Sequence, residues 1–339
     1  MLVTRRLPAS AMRLLGGSFA VSLWEGDGPM PRERLLAAAR GTAAIVSLLT
    51  DMVDAELLDA AGSALRVVAN YAVGLDNVNV AECTRRGVLV TNTPDVLTDA
   101  TADMAWALLL AAARRVAEGD RLVRSGVEWT WGPEMMLGRD VSGSTLGIVG
   151  LGRIGKAVAL RARSFGMRVI ATGRRHESGS LGDGSLGDGS AAEMVPLETL
   201  LAESDFVSLH VDLSPGTRHL MSAERLALMR PGAVLVNTSR GAVVDEEALA
   251  DALDAGRLFA AGLDVFEAEP RVHPRLAASP RVVLAPHLGS ATVGTREAMG
   301  RLVVENVLAA LSGRRPPTLA NPEALDRAGR PAGSGGGPG

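Results

Sequence analysis

The run Gly150–Leu151–Gly152–Arg153–Ile154–Gly155 constrains this chain more than any other feature. It follows the apolar stretch Thr145–Val149 and opens into Lys156–Gly166, whose pattern predicts a helix. A strand, a tight glycine turn and a helix N-terminus in that order form a dinucleotide-binding fingerprint. Gly150 permits the sharp turn, Gly152 lets the backbone approach a pyrophosphate, and Gly155 lets helix pack closely on strand. Phosphates then meet the unpaired N–H groups and positive end of the helix, with Arg153 and Ile154 in the same loop. The alternative is a glycine-rich turn with no ligand.

The surrounding chain continues this rhythm. Strand-like and helix-like segments alternate throughout, which predicts parallel sheets covered by helices. Ala43–Leu49, Leu65–Asn70 and Val88–Thr91 are short apolar strands, and Met1–Pro8 is also strand-like. A long helix is expected over about Thr98–Ser125, followed by a Trp/Pro/Met-rich segment, Val127–Leu137. From Thr145 six strand candidates follow: Thr145–Val149, Arg168–Thr172, Phe206–His210, Ala233–Asn237, Ala261–Val265 and Val282–Ala285. Their number and spacing match a doubly wound nucleotide fold. One more long helix is expected at about Thr295–Leu311. Beyond Asn321 the chain turns to Gly, Pro, Ser and Ala, and Gly333–Gly339 is expected to be disordered. The tandem Ser-Leu-Gly-Asp-Gly repeat Ser180–Gly189 lies just after the second of these six strands. It reads as a flexible loop extension, with a lid over a cofactor as the alternative.

Composition narrows the chemistry. A chain of 339 residues is long enough for two cores, and a net charge of −3 offers no basic surface for nucleic acid. Lys156 is the only lysine, which leaves little scope for Schiff-base chemistry. Cys83 is the only cysteine, so an internal disulfide or a Cys-cluster metal site is excluded. It lies in a helix-like segment with no base nearby in sequence and reads as structural. The N-terminus has no apolar signal core, and Met104–Ala113 is too short to span a bilayer. A cytoplasmic protein with no membrane partner and no metal is expected.

Of the five histidines, His176 adjoins the repeat, and His219 and His273 lie in polar connections. His210 ends an apolar strand, facing a cofactor crevice without an obvious acidic partner. His287 follows the strand Val282–Ala285 and begins a loop at the carboxyl edge of the sheet, where open α/β sheets bind ligands. Arg240 follows Ala233–Asn237, and Asp264 closes Ala261–Val265 ahead of Phe266–Glu267–Ala268–Glu269–Pro270. Arg, Glu and His at the ends of three successive strands could converge. A guanidinium can hold a keto acid through its carboxylate and carbonyl oxygens. A carboxylate beside a histidine favours the imidazolium, a proton donor near neutral pH. Spacing does not decide between Glu267 and Glu269, because on an extended segment the two point the same way.

Five ordered segments carry a resemblance: Val73–Gly74–Leu75–Asp76–Asn77–Val78, Gly147–Gly155, Val236–Gly241, Gly262–Pro270 and Pro286–Thr292. From about residue 2 to 320 the chain resembles the D-isomer-specific 2-hydroxyacid dehydrogenases. The stretch Asn92–Asp103 is most like the glyoxylate/hydroxypyruvate reductase branch. The resemblance implies an α/β fold of two Rossmann- or flavodoxin-like doubly wound parallel-sheet domains, with the substrate domain formed by both chain ends. Residues 1–97 with 288–325 would form the substrate domain and 98–287 the NAD(P)-binding domain, with 326–339 a disordered tail. It implies Arg240 as the substrate arginine, Glu269 as the histidine-orienting acid and His287 as the acid/base. Leu49, Val73 and Gly74 would contact substrate, the Gly74 N–H receiving its carboxylate from the other domain. Thr101, His210, Thr238, Ser239 and Asp264 fall to the cofactor. The implied reaction is hydride transfer from NAD(P)H to a small 2-keto acid, with His287 protonating the oxygen, Arg240 stabilising its charge and domain closure excluding water.

Two departures bear on specificity. The strand Arg168–Thr172 leads to Gly173, where NAD enzymes place an acid for the ribose hydroxyls, and Arg174 and Arg175 follow. No carboxylate repels a 2′-phosphate and two guanidiniums can pair with it, so NADPH is expected to be preferred, with NADH possible. A tryptophan of the reductase branch falls on Met135, in an arm that such proteins pass to a partner subunit. Met135 either opens the pocket to larger substrates or acts as an apolar filler. A homodimer is the expected partner state. Rival members of the superfamily fit less well. Formate dehydrogenases need no acid/base pair, long phosphoglycerate dehydrogenases carry a regulatory domain beyond the region of Asn321, and phosphite oxidation uses a similar triad while the Val68–Val80 segment resembles the reductases. A nucleotide-sensing scaffold on the same fold is the rival of another class.

Overall fold

The computed structural model describes residues 1–173, 183–188 and 191–326. The chain divides into two compact units, Met1–Leu97 with the segment from Thr292, and Thr98–Ala291. The return to the first unit thus comes four residues after the expected 288, and the His287 loop stays with the second.

The first unit holds five parallel strands: β1 (Leu2–Val3), β2 (Ser22–Leu23), β3 (Ala44–Ser47), β4 (Val67–Asn70) and β5 (Leu89–Thr91). Their order is β2-β1-β3-β4-β5, the flavodoxin-like winding. β3, β4 and β5 are buried along their whole length, as expected when helices cover both faces. Leu2, Ile45, Leu57, Val68 and Val90 anchor the core. The helix Val293–Leu311 packs on the helix Ala9–Ser18 and against β4.

The second unit holds seven: β6 (Thr145–Val149), β7 (Arg168–Thr172), β8 (Glu193–Met194), β9 (Phe206–Leu209), β10 (Val234–Asn237), β11 (Ala260–Leu263) and β12 (Val282–Leu284). The order β12-β11-β10-β9-β6-β7-β8 is the Rossmann winding with a seventh strand added. Every pairing between adjacent strands is parallel. Two apolar layers flank the sheet, one around Leu200, Leu235 and Leu249 and the other around Trp106, Ile148 and Phe206. Trp106 stacks on Phe165 at 4.6 Å between ring centroids and donates Nε1–H to the Val158 carbonyl.

Several expectations need correction. β8 and β2 are two-residue edge strands, too short to leave an alternating pattern, so the expected six-stranded sheet has seven. The helix after the glycine turn begins at Arg153, ends at Ala162 and continues as one 3-10 turn. The expected single helix Thr98–Ser125 is two, Thr98–Ala113 and Val116–Arg124, because Arg115 takes a left-handed φ of 53°. The Ala113 carbonyl accepts Arg139 N–H at 2.8 Å. β11 ends at Leu263, so Asp264 lies just past the strand. Beyond Asn321 the chain does not immediately lose structure: Pro322–Ala324 form a 3-10 turn and Ala324 is fully buried.

The described part of the repeat is not a free extension. Leu186 is buried in the layer around Trp106, and Asp188 pairs with Arg163. Ser185 bridges to Ala191, and the Gly184 carbonyl accepts Ala192 N–H. Arg174, Arg175, His176, the rest of the repeat and the tail from 327 lie outside the described residues.

Candidate active site

The glycine turn has the geometry its residues allow. Gly150 has a φ of 100°, open to glycine alone without strain, and a Cβ there would lie 2.5 Å from the His210 carbonyl oxygen. A Cβ at Gly155 would collide with the Gly150 carbonyl, so helix and turn meet only through glycine. Gly152 faces open space and caps the helix without any side-chain acceptor. The first turn of the helix Arg153–Ala162 therefore has no side-chain cap at its N-terminus and presents a positive end, the environment a pyrophosphate requires. Gly173 follows β7 with no side chain to block a ribose.

His210, at the end of β9, has Nε2 2.8 Å from the Ser208 hydroxyl. Desolvation pushes its pKa down to about 4, so the ring is neutral at pH 7. The partner that sequence did not reveal is thus the Ser208 hydroxyl on β9, two residues before the ring. Thr238, just past β10, has a buried hydroxyl with no hydrogen-bond partner among the described residues. Such an orphan suits a polar ligand group. Ser239 donates its hydroxyl to Asn237 Oδ1 at 2.8 Å.

The loops after β10, β11 and β12 bring the charged residues together. Glu269 Oε2 lies 2.9 Å from His287 Nδ1, and Phe266 N–H donates to Glu269 Oε1 at 3.0 Å. Burial alone would raise the Glu269 carboxyl. The His287 hydrogen bond and charge, the Phe266 N–H and the Arg240 charge outweigh it, and the carboxyl sits below its ordinary value. An ionised carboxylate only accepts, so His287 Nδ1 carries the donated proton and Nε2 is turned away from Glu269. Arg240 donates Nη1–H to the Ser239 carbonyl at 2.8 Å. The loop bearing it touches the Glu269 loop directly, because a Cβ at Gly241 would collide with the Phe266–Glu267 peptide.

Here the two glutamates that spacing left equivalent separate. Glu267 accepts from Arg218 Nη2 at 2.6 Å and lies 2.9 Å from His219 Nε2, away from His287. The segment turns at Ala268, which bridges to Arg271, so it is not the extended run assumed from sequence.

Asp264 is almost wholly buried and accepts Leu288 N–H at 2.6 Å and Gly289 N–H at 2.7 Å. Burial raises its carboxyl above the usual range despite those bonds and the His287 charge. His287 N–H donates to the Asp264 carbonyl at 2.8 Å, and His287 holds a left-handed φ of 57°. Asp264 therefore grips the loop that carries the imidazole. Thr101 is buried beside it, within van der Waals reach of the Gly289 position.

In the first unit, Leu49, Val73 and Gly74 occupy loops after β3 and β4 that a buried polar network holds. Asn70 Nδ2 donates to the Gly74 carbonyl, and Asn77 Nδ2 to the carbonyls of Leu48 and Asp51. Asp51 accepts from Leu48 N–H and from the Thr4 hydroxyl. Met135 is half-buried in an arm whose Trp129 and Trp131 are exposed. Cys83 is fully buried and its thiol is pushed up to about 12, chiefly by desolvation, so it is inert. Among the described residues no cluster of three or more His, Cys, Asp or Glu could hold a metal. No helix among them is long and apolar enough to cross a membrane.

Comparison with known proteins bears on the fold and the family. Residues 106–289 match the family model of the D-isomer specific 2-hydroxyacid dehydrogenase NAD binding domain. The chain is 51% identical to a glyoxylate reductase of Thermococcus onnurineus over 96% of each chain. A crystal structure of a Thermus thermophilus protein superposes with a TM-score of 0.86 at 46% identity, covering 94% of this chain and 99% of that one. The NADPH-dependent glyoxylate/hydroxypyruvate reductase of Sinorhizobium meliloti, solved with NADP and malonate, gives 0.81 at 33% identity, covering 96% and 97%. With a Rossmann-wound sheet, its glycine turn and these matches over nearly the whole length, the chain belongs to the D-isomer-specific 2-hydroxyacid dehydrogenases, a family of nicotinamide-dependent oxidoreductases.

Proposed function

We propose that this protein reduces small 2-keto acids, glyoxylate and hydroxypyruvate foremost, to D-2-hydroxy acids, with NADPH preferred and NADH tolerated. The observation that carries the reading is the Glu269–His287 pair at 2.9 Å, with the Arg240 charge close enough to lower Glu269. The relatives named glyoxylate reductase and glyoxylate/hydroxypyruvate reductase support the substrate class.

The nicotinamide cofactor, when bound, supplies the hydride. The open face of Gly152 and the uncapped helix behind it would hold its pyrophosphate, and Thr238, Ser239, His210, Thr101 and Asp264 would line its remaining length. His287 gives the proton on Nε2 to the carbonyl oxygen of the substrate while Glu269 holds Nδ1–H and stabilises the imidazolium. Arg240 binds the substrate carboxylate and carbonyl oxygen and offsets the charge that develops there. Leu49, Val73 and Gly74 are the proposed substrate contacts of the first unit. Met135 would tune substrate size from the arm of a partner subunit in a homodimer. Arg174 and Arg175 would pair with the 2′-phosphate.

Steady-state reduction of glyoxylate, hydroxypyruvate and pyruvate, each with NADPH and NADH, tests this reading. Glyoxylate and hydroxypyruvate should turn over fastest with NADPH. Replacing Arg174 and Arg175 together by Ala should raise the KM for NADPH by about tenfold or more and leave that for NADH nearly unchanged. Turnover confined to bulkier keto acids would move attention to Met135. Absence of turnover with either cofactor would reject the proposal.

A further inference from the structure

We infer that Glu246 is a positioning residue for the acid–base pair: its buried carboxylate clamps the Phe266–Glu267 peptide and thereby sets Glu269 against His287. Glu246 is the first residue of the helix Glu246–Asp254, yet it does not cap that helix. Asp245 does so, accepting Ala248 N–H at 3.0 Å. The Glu246 side chain instead accepts Glu267 N–H at 2.8 Å, and the residue is only 8% exposed. The same peptide is pressed against Gly241, whose missing Cβ admits it. One residue before the gripped amide, Phe266 N–H holds Glu269 Oε1, and Glu269 Oε2 holds His287. One buried carboxylate therefore steadies the backbone that joins the Arg240 loop to the proton-transfer pair.

The placement is costly, which argues for function over stability. Glu246 faces two further carboxylates, Glu267 and Glu269, with the His273 ring also nearby. Burial and the neighbouring negative charges raise its carboxyl above the ordinary value even though it accepts the Glu267 N–H. A neutral acceptor would hold one N–H at less cost in desolvation. Arg218 and His219 occupy Glu267, which leaves Glu246 alone to hold the peptide and Glu269 free for His287. The inference rests on the acid–base reading above.

The test uses the full-length protein with glyoxylate and NADPH, and the variants Glu246→Ala, Glu246→Gln and Glu246→Asp. Misplacing a catalytic pair by about 1 Å costs up to about 100-fold, so Glu246→Ala should lower kcat by about 10- to 100-fold. The KM for NADPH should stay within about twofold, because the glycine turn is untouched. Glu246→Gln keeps the acceptor oxygen and should recover kcat to within about threefold of the unmodified protein. Glu246→Asp keeps the charge but withdraws the acceptor, and it should be slow if Glu246→Ala fails to fold. A folded Glu246→Ala or Glu246→Asp with unaltered kcat, or a folded Glu246→Gln as slow as Ala, overturns the inference. A second readout stands apart from turnover: the histidine side-chain NMR signal of 15N-labelled protein that disappears in His287→Ala. It should shift in Glu246→Ala and keep its position in Glu246→Gln. If the unmodified protein reduces no keto acid, the functional proposal fails while this signal still decides the role of Glu246. An unshifted signal in Glu246→Ala counts against that role.

Discussion

In the first unit the carboxyl edge of the parallel sheet carries side chains that bond to one another: Ser47 to Asn70, Asn70 to Asn77, and Thr4 to Asp51. In the second the same edge carries a glycine turn and the cluster of Arg240, Glu269 and His287, and both edges keep buried hydroxyls with no hydrogen-bond partner among the described residues, Thr91 and Thr93 in the first unit and Thr238 in the second. Both sheets are doubly wound and parallel, one in flavodoxin-like and one in Rossmann order, and both therefore offer a carboxyl edge. The difference lies in the charged groups: the first edge binds its Asp51 carboxylate into the fold, whereas the second gathers Arg240, Glu269 and His287. A closed network such as Asn70–Asn77 rigidifies loops, since each member is satisfied and none can be withdrawn cheaply. An open set such as Thr238 and His287 Nε2 keeps capacity for chemistry. Architecture supplies the edge, and the residues placed there decide its use.

Four measurements would break or sharpen that contrast. The largest effect is expected for His287→Ala, which should lower kcat by about 10²–10⁴-fold and leave NADPH affinity and melting temperature close to those of the unmodified protein. Comparable turnover in this variant would remove the open edge of its assigned role. Next, Gly150→Ala forces a left-handed φ on alanine and drives its Cβ toward His210. It should destabilise the second unit by about 1–3 kcal/mol and abolish tight NADPH binding in a fluorescence titration. Retained binding would show that the turn tolerates a side chain.

Asn77→Ala addresses the closed edge. It removes the donor to the Leu48 and Asp51 carbonyls and the link to Asn70. A loss of about 2–3 kcal/mol is expected in chemical denaturation, with NADPH affinity unaffected and KM for the keto acid raised. An increase in the NADPH dissociation constant would contradict the division of labour between the edges.

The smallest effect concerns His210 and pH. Its folded pKa of about 4 lies below the ordinary 6.5, so the unfolded chain takes up this proton first as pH falls. The contribution is fully present above about 6.5 and is lost between there and about 4. Melting temperature should therefore decline less steeply across that interval in His210→Gln than in the unmodified protein. Equal slopes would mean that the ring is solvated.

Much of the architecture was legible because it depends on local pattern. Short apolar runs separated by helix-length segments announce buried parallel strands, and β6 and β7 fall at their predicted residues. The sheet edges were not legible: β2 and β8, two residues each, show no periodicity. The break at Arg115 also left no mark, since Ala112, Ala113, Arg114 and Ala117 around it are strong helix formers and a left-handed arginine has no sequence signature. In the candidate site, Arg240 and His287 could be picked out as polar residues just after apolar strands. Glu246 could not, because an acid at a helix N-terminus reads as an ordinary favourable charge.

By itself, then, the sequence determined the alternation of strands and helices, the position of the glycine turn and, with Cys83 as the sole cysteine, the absence of an internal disulfide. These follow from residue identity and near-neighbour spacing. Residue spacing left Glu267 and Glu269 equivalent and only the resemblance favoured Glu269; the tertiary structure supplies the physical difference, the partners that distant loops bring to each. The turn at Ala268 gives Glu267 to Arg218 and His219, and Glu269 to His287. The buried state of Glu246 and Asp264 was decided in the same way, because desolvation is a property of the packed neighbourhood and not of the residue.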